Sequence, residues 1–329
     1  MTRKTITLTW AAVLGGAALV SAQQISDSSS PERRPQSGVV RGTPRNDFAM
    51  ARRWQKSDDL IGKKVVNQSN EDLGKIEDIV VDAGTGRVLY GVLSFGGFLG
   101  LGDKWFAVPM DSLQLSGDEK TFILNVDKDR LKNAEGFDKH HWPNFTDEQW
   151  ATKTYKYYDR QPYWAANQPG VSHVNSPSSP TPGGTVSGGT ITNASPSNNT
   201  VSGGTISNSA YRERWNQRVS VWAKASDLSG KDVRNSSNED LGHISDLVID
   251  ADGSRILYGI LSFRGKMFAV PWTALTLSSD GKYLLLNVSK DQLKDSMGFT
   301  KDNWPNFTDS QWNANTYDYY RQPRYWEGA

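Results

Sequence analysis

Short apolar runs separated by turn residues recur along the chain and predict β-strands. Runs rich in Val, Ile, Tyr and Phe alternate with clusters of Gly, Asp and Asn, which is the pattern of strands joined by tight turns. The strands predicted in the first half of the chain cover residues 64–67, 76–82, 87–95, 104–109, 113–116 and 121–126. Glycines in the loop 82–86 supply the positive φ that hairpin loops need. Short strands without long crossover helices favour a small closed β-barrel.

Two short helices and an aromatic-rich tail are predicted to follow the strands. Ser289 and Gln292 have the spacing of a capping box, and Gly298 is placed to end the helix, as Gly136 is in the earlier counterpart. Residues 146–149 and 308–311 repeat the capping signature and predict a second helix. The tail aromatics are Trp142, Phe145, Trp150, Tyr155, Tyr157, Tyr158 and Trp164.

The strand 87–95 is apolar on both faces, so it is predicted to be central and covered on its outer side. We expect the aromatic tail to provide that cover, with Trp150 and Trp312 largely buried. The alternative is that the tail forms an aromatic platform for a sugar or a peptide.

The whole pattern occurs twice. Residues 60–95 align without gaps with residues 228–263, and the alignment resumes at the FAVP motifs after a loop that is longer in the first copy. Both copies then continue through a WPNFTD motif to an aromatic end. A repeated unit of this length is a domain and exceeds the repeats of solenoid proteins.

The segment between the copies differs in composition from both of them. Residues 165–210 contain no Asp, Glu, Lys or Arg and consist mainly of Ser, Thr, Gly, Asn and Pro, which predicts a disordered linker. Residues 23–47 are predicted to be disordered for similar reasons. The predicted domains are therefore 48–164 and 211–329, two independent units on a flexible tether.

The N-terminus has the pattern of a secretory signal peptide. Arg3 and Lys4 precede an apolar run over residues 6–20, and residues 20–22 form the small-residue motif that predicts cleavage after Ala22. A membrane anchor is the alternative, but it needs about 20 apolar residues. We therefore expect residues 1–22 to be removed, leaving a periplasmic or secreted bacterial protein without a membrane span.

Composition excludes several classes of function. The chain has 37 basic and 36 acidic residues and a formal net charge of +1, which weighs against nucleic-acid binding. The absence of cysteine excludes disulfides, thiol nucleophiles and Cys-ligated metals. The sequence also lacks a phosphate-binding glycine loop and a Gly-x-Ser-x-Gly motif. We therefore expect a protein that is not an enzyme and that has no catalytic residues, cofactor or metal site.

Two kinds of residue leave chemistry open as an alternative. His140 and His141 precede a Trp-Pro turn and could supply a general base, although exposed histidines in such a place are more often only solvated. Acidic residues at strand ends and turns could bind Ca²⁺, although their spacing is not that of an EF-hand. This acidic set comprises Glu71, Asp72, Asp78 and Asp82, with the equivalents Glu239, Asp240, Asp246 and Asp250.

Each copy contains a run of motifs that resembles the PRC-barrel family. The matching features are Gly62, Val65, residues 72–76 (DLGKI), Asp78, Asp82, residues 96–100 (GGFLG) and residues 106–109 (FAVP), with Gly230, residues 241–242, Asp246, Asp250 and residues 268–272 (FAVPW) in the second copy. This family includes the cytoplasmic domain of the photosynthetic reaction centre H subunit, the C-terminal domain of the ribosome maturation factor and stand-alone bacterial proteins. The resemblance implies a small β-barrel and a role in binding or assembly. Proton delivery and ribosome assembly do not transfer, because this chain lacks the H subunit's transmembrane helix and the maturation factor's N-terminal barrel.

The expected fold is therefore mainly β, with two small PRC-type β-barrels, each followed by short helices and an aromatic tail. The expected function is that of an exported, non-enzymatic binding or scaffolding protein that engages an envelope protein or self-associates. Carbohydrate is a weaker candidate ligand. The competing class is an envelope enzyme or metal-dependent factor whose cleft is lined by the aromatic tails.

The predicted interaction residues lie in one loop and in the aromatic tails. The loop 96–104, present in the first copy only, places apolar side chains among glycines, where they either fold back over the barrel or meet a partner. The predicted interaction residues are Phe98, Leu99, Leu101, Trp142 and Trp304.

Overall fold

The computed structural model describes residues 53–95, 104–165, 209, 213 and 221–327. All described residues belong to one compact unit. The predicted signal peptide, the predicted disordered segment 23–47, nearly all of the predicted linker and loop residues 96–103 lie outside the described residues.

The two copies contain the same elements in the same order, except that the second has one additional short strand, β15. The first copy consists of β1 (Trp54–Lys56), α1 (Ser57–Leu60), β2 (Lys64–Val66), β3 (Asp72–Asp82), β4 (Val88–Phe95), β5 (Lys104–Pro109), the 3-10 turn η1 (Met110–Ser112), β6 (Leu113–Leu115), β7 (Thr121–Leu124), α2 (Lys128–Asn133) and α3 (Glu148–Tyr157). The second consists of β8 (Trp222–Lys224), α4 (Ala225–Leu228), β9 (Asp232–Arg234), β10 (Asp240–Asp250), β11 (Arg255–Phe263), β12 (Lys266–Pro271), η2 (Trp272–Ala274), β13 (Leu275–Leu277), β14 (Tyr283–Leu286), α5 (Lys290–Asp295), β15 (Gly298–Phe299) and α6 (Ser310–Tyr319).

The sheet of each copy follows one path. In the first copy the strand order is β5-β4-β3-β2-β7-β6, and in the second it is β13-β14-β9-β10-β11-β12-β15. The short β2 pairs in parallel with β7 and antiparallel with β3. The end strands β5 and β6 are joined directly by η1, so the path curls back on itself. The expected fold class, mainly β with two small barrels, is confirmed.

The six predicted strands are found with small shifts, and the main difference is that β3 begins at Asp72. The first part of β3 requires a glycine at position 74. Gly74 has φ +109, and a Cβ atom added there would lie 1.9 Å from the carbonyl oxygen of Ser94. Only glycine fits there, because a side chain would collide with the backbone of β4.

The two copies are not independent units, so that expectation is wrong. Strand β1 pairs antiparallel with β10 of the other copy, and β8 pairs antiparallel with β3. Helix α1 packs on β10, and α4 packs on β3. Each copy therefore donates its first strand and first helix to the other copy, and a sheet edge is satisfied by this exchange.

The exchange also creates one shared core. Leu60 of α1 and Leu228 of α4 are both fully buried and belong to the same hydrophobic cluster, which takes in interior residues of both barrels. Burial of apolar surface is the main stabilising term in folding, so part of the core of each barrel depends on the other copy.

The aromatic tail covers the outer face of the central strand, as expected. Strand β4 is buried on both faces, and its Tyr90 contacts Phe145 and Tyr155 of the tail at ring-centroid distances of 5.3 and 5.7 Å. The expectation for Trp150 and Trp312 is only partly right, since both are half-buried. The deepest tail residues are Phe145 and Phe307, each 1% exposed.

The helix ends differ slightly from the predicted ones. The capping box of Ser289 and Gln292 is present at the start of α5. Helix α3, however, begins one residue later than predicted, because the Asp147 carboxylate accepts the backbone N–H groups of Gln149 and Trp150 at 2.8 and 3.1 Å. An ionised Asp at this position is a strong N-cap. Helices α2 and α5 also end before the predicted glycines, at Asn133 and Asp295.

Candidate binding site

Each aromatic tail is completed by a tryptophan from the other copy. Trp222 of β8 stacks on Trp142 with ring centroids 6.3 Å apart and planes 12° apart. Trp54 of β1 stacks on Trp304 in the same way, at 6.3 Å and 9°. The first tail cluster is defined as Trp105, Phe137, Trp142, Phe145, Trp150 and Trp222, and the second as Trp54, Phe299, Trp304, Phe307 and Trp312.

Each stacked pair packs against a buried phenylalanine. Phe145 meets the Trp222 ring edge to face at 4.9 Å, and Phe307 meets the Trp54 ring at 4.8 Å. Such edge-to-face contacts add about 0.5–1.5 kcal/mol each beyond burial. The donated strands are therefore held by side chains as well as by backbone pairing.

The predicted interaction residues Trp142 and Trp304 occupy equivalent places in the two clusters. Their indole N–H groups donate to the carbonyl oxygens of Lys139 and Lys301 at 2.8 and 3.0 Å. Both rings are half-buried, so part of each apolar surface faces solvent. An indole whose N–H is already bonded within the fold presents mainly an apolar ring surface.

A lysine lies beside each of these rings. The Nζ atom of Lys224 is 5.2 Å from the centroid of Trp142, and that of Lys56 is 5.2 Å from the centroid of Trp304. Both distances are within the range of cation–π attraction. Each tail cluster therefore combines apolar rings with a lysine of the donated strand. Each lysine is also ion-paired with an aspartate of the donated helix, Lys224 with Asp227 at 3.3 Å and Lys56 with Asp59 at 3.4 Å.

The buried tyrosines beneath the clusters are structural groups. Burial raises the pKa of Tyr90 and of Tyr155 well above the ordinary value of 10.0. The hydroxyl of Tyr258, the equivalent of Tyr90, donates to Asn313 Oδ1, and burial raises its pKa as well. These phenols therefore stay protonated near neutral pH and pack as large apolar groups with one polar end.

The carboxylates Asp78 and Asp246 bind the donated helices. Asp78 accepts from the hydroxyl of Ser226 at 2.5 Å and from the backbone N–H of Ile79 at 2.7 Å. Asp246 accepts from the hydroxyl of Ser57 at 2.7 Å and from the N–H of Leu247 at 2.8 Å. Burial raises the pKa of both aspartates, and these hydrogen bonds oppose the rise.

The remaining residues of the acidic set serve turns and ion pairs. Asp82 accepts from the N–H of Gly84 at 2.9 Å in the β3–β4 turn. Asp250 accepts from the N–H of Gly253 at 2.9 Å and lies 3.4 Å from Arg255 Nε. Among the described residues no group of three or more His, Cys, Asp or Glu side chains is placed to hold a metal ion.

The described histidines are all exposed. His140 and His141 are exposed in the turn before Trp142, where His141 Nδ1 is 3.4 Å from Asp138 Oδ1. His243 is exposed on β10, and His173 lies outside the described residues.

Two cavities lie near the helices and strands described above. One, of about 250 Å³, lies between the end of α2 and α3 and includes Lys153 and Tyr157. The other, of about 430 Å³, adjoins Trp54 and includes Arg53 and Glu119. Glu119 accepts from Gln55 at 2.6 Å, so this polar group is engaged within the fold.

The structure divides the predicted interaction residues into two groups. Trp142 and Trp304 lie in the tail clusters, while Phe98, Leu99 and Leu101 lie outside the described residues. The sequence prediction missed the donated tryptophans Trp54 and Trp222. A signal for them exists, because each copy opens with Trp-x-Lys at the same distance before its first aligned strand.

The fold and its paired clusters define a class: a duplicated β-barrel protein whose copies complete each other. The model of the PRC-barrel domain family matches residues 56–131 and 223–293, so the chain is a tandem two-copy PRC-barrel protein. Domains of this kind indicate a modular binding or scaffolding role. A search of the curated proteins found no match to the chain. None of the helices in the described ranges has the length and apolar character needed to span a membrane.

Proposed function

We propose that this is an exported, non-enzymatic scaffolding protein that binds an envelope protein through its two tail clusters. The observation that carries the proposal is the reciprocal donation of Trp54 and Trp222. Because each cluster contains a ring from the other copy, both binding surfaces exist only when the copies are paired. The unit of binding is then the pair of barrels and not the single barrel.

A protein partner fits the chemistry of the clusters. Aromatic residues, and Trp above all, are enriched at the centres of protein–protein interfaces. Trp142 and Trp304 offer half-buried rings, and at the edge of each lies an ion-paired lysine, Lys224 with Asp227 and Lys56 with Asp59. A partner surface with an apolar centre and a polar rim would match both features.

Two equivalent surfaces on one body favour bivalent binding. Once one cluster is occupied, the second meets its target at an effective concentration set by the spacing between the clusters. A repeated or oligomeric partner would gain most from this arrangement. Weak contacts at each cluster could then add up to a stable complex.

Export is supported by the N-terminal sequence. Arg3, Lys4 and the apolar run that ends at Val20 form the signal pattern, and cleavage after Ala22 would release the mature protein into the periplasm or the medium. A chain without cysteine is insensitive to the redox state of that compartment. Mass spectrometry of the envelope and extracellular fractions would identify a mature chain beginning at Gln23.

The binding proposal is tested with the mature protein as bait for its native envelope fraction. Trp142→Ala and Trp304→Ala, singly and together, remove the stacked rings, while Tyr319→Ala removes an exposed aromatic ring outside both clusters. Circular dichroism at the assay temperature verifies that every bait is folded. We expect partial loss of captured protein in each single Trp variant, near-complete loss in the double variant and no change with Tyr319→Ala. Unchanged capture by a folded double variant would refute the proposal.

A further inference from the structure

One contact between the copies involves residues that differ in the two repeats. Trp272 of η2 is 3% exposed and lies against the β3–β4 turn of the first copy, where its Nε1–H donates to the carbonyl oxygen of Ala83 at 3.2 Å. A Cβ atom added at Gly86 would lie 2.4 Å from Cδ1 of this indole. The ring therefore occupies the space that any side chain at position 86 would need.

The equivalent positions in the other repeat carry different residues. Ser254 is the equivalent of Gly86, and Met110 is the equivalent of Trp272. The structure itself pairs Gly86 with Ser254, since the N–H of Ile256 donates to the Gly86 oxygen at 2.7 Å and the N–H of Val88 donates to the Ser254 oxygen at 2.8 Å. The indole thus faces the repeat that has no side chain at this position.

An ion pair shows the same asymmetry. Arg53 Nη2 lies 2.6 Å from Asp252 Oδ1 across the pairing of β1 with β10. The equivalents of these residues are Val221 and Gly84, so the pair forms only when a first-copy strand lies on a second-copy turn. Both side chains are partly exposed, and the pair contributes less than the indole contact.

We propose that the strand exchange is selective for unlike copies: a first copy pairs with a second copy, in its own chain or in another molecule of this protein, and like copies do not pair. Two second copies would place Trp272 against Ser254, a steric collision in a buried site. Two first copies would place Met110 against Gly86, which leaves the indole's space unfilled and loses the Arg53–Asp252 pair.

The selectivity has a consequence for assembly. Copies that separate within one chain can close again with the same chain or, reciprocally, with the unlike copies of a second molecule, as in domain swapping. This inference rests on the strand exchange alone and holds whether or not the tail clusters bind an envelope protein.

The first test measures how much the contact between Trp272 and Gly86 stabilises the intact mature chain, by urea unfolding. Gly86→Ser should raise the unfolding equilibrium constant about ten- to a hundredfold, because it overpacks a buried contact. Trp272→Met should relieve that collision, so the double variant should be less affected than the product of the single effects. The control is Gly62→Ser, at φ +83 with no atom within 4 Å of the added Cβ, which has the same backbone strain without the collision. Equal effects of Gly86→Ser and Gly62→Ser, or single effects that multiply in the double variant, would overturn the proposal.

The second test measures the choice of partner directly. A protease site is inserted between residues 180 and 190, and isotopically heavy and light proteins are cut, mixed in urea and refolded together. Native mass spectrometry then separates pairs of two first copies, two second copies and unlike copies by mass. We expect unlike pairs, including heavy–light ones, and few like pairs. Like pairs at statistical abundance, or no heavy–light pairs at all, would overturn the proposal.

Discussion

The hydrogen bond between Ser57 and Asp246 offers the most direct test of how the copies hold each other. Ser57 is fully buried, its hydroxyl donates to Asp246 Oδ1 at 2.7 Å, and it also accepts from the N–H of Leu247 at 3.3 Å. The equivalent residue in the second copy is Ala225, which is also fully buried. Ser57→Ala should therefore fit without steric strain, and its effect should come from the lost hydroxyl.

The expected loss follows from the partner's charge and burial. A hydrogen bond to a charged group contributes about 1.5–3 kcal/mol. Asp246 is 6% exposed and would keep the N–H of Leu247 at 2.8 Å and the longer contact from the N–H of Asp58 at 3.4 Å. Because these acceptor contacts remain, we expect Ser57→Ala to lower the free energy of unfolding by about 2 kcal/mol near pH 7.

The loss should depend on pH in a defined direction. Burial raises the pKa of Asp246 above its ordinary value of 3.8, and the Ser57 hydroxyl opposes that rise. A carboxyl with a raised folded-state pKa contributes stability that is complete below the unfolded pKa and is lost as pH rises through the folded pKa. Ser57→Ala raises the folded pKa further, so its cost should be largest near neutral pH and shrink toward pH 4.

Urea unfolding followed by tryptophan fluorescence between pH 4 and pH 7.5 measures both quantities. The matched control is Ser116→Ala, which removes a serine hydroxyl that donates to the exposed Asp118 at 2.6 Å. The Ser116 hydroxyl lowers the pKa of Asp118, so the control's smaller effect should also fade as pH falls, but at lower pH than the Ser57→Ala cost does. A Ser57→Ala cost that is no greater than that of Ser116→Ala, or that grows toward acid pH, would refute the reasoning.

Two further predictions concern the shared core and the tails. The intact mature protein should unfold in a single calorimetric transition, because each barrel contains a strand and a helix of the other; two resolved transitions would show that the copies fold separately. Phe307→Ala should lower the free energy of unfolding by about 3–5 kcal/mol, because Phe307 is 1% exposed. Trp312→Ala should lower it by less, because Trp312 is half-buried. Chemical denaturation measures both values, and the reverse order would contradict the prediction.

The strands of each barrel could be predicted from local pattern alone. Strand β4 reads as apolar on both faces, and the structure buries both, one in the barrel and one beneath the tail. The capping box at Ser289 could also be predicted, because side-chain capping depends on residues only three positions apart. Such features need no knowledge of the rest of the chain.

The donated strands could not be predicted in the same way. Trp54–Lys56 and Trp222–Lys224 are three residues long and lack the alternation that marks a strand. Their backbone groups become ordered by pairing with β10 and β3, which are distant in sequence. The missed strands explain why the copies were expected to be independent, and why the candidate site lacked its two stacking tryptophans.

The amino-acid pattern alone is enough to predict two small β-barrels with aromatic tails, because strand periodicity, turn glycines and the internal repeat are local or can be aligned directly; their PRC type follows from the resemblance of the motifs to that family. The tertiary structure decided which copy completes which sheet. Backbone hydrogen bonds are alike in both copies and cannot distinguish one copy from the other. The choice of pairing partner therefore depends on side chains that meet only after folding. Trp272 over Gly86 and Ser57 on Asp246 are such contacts.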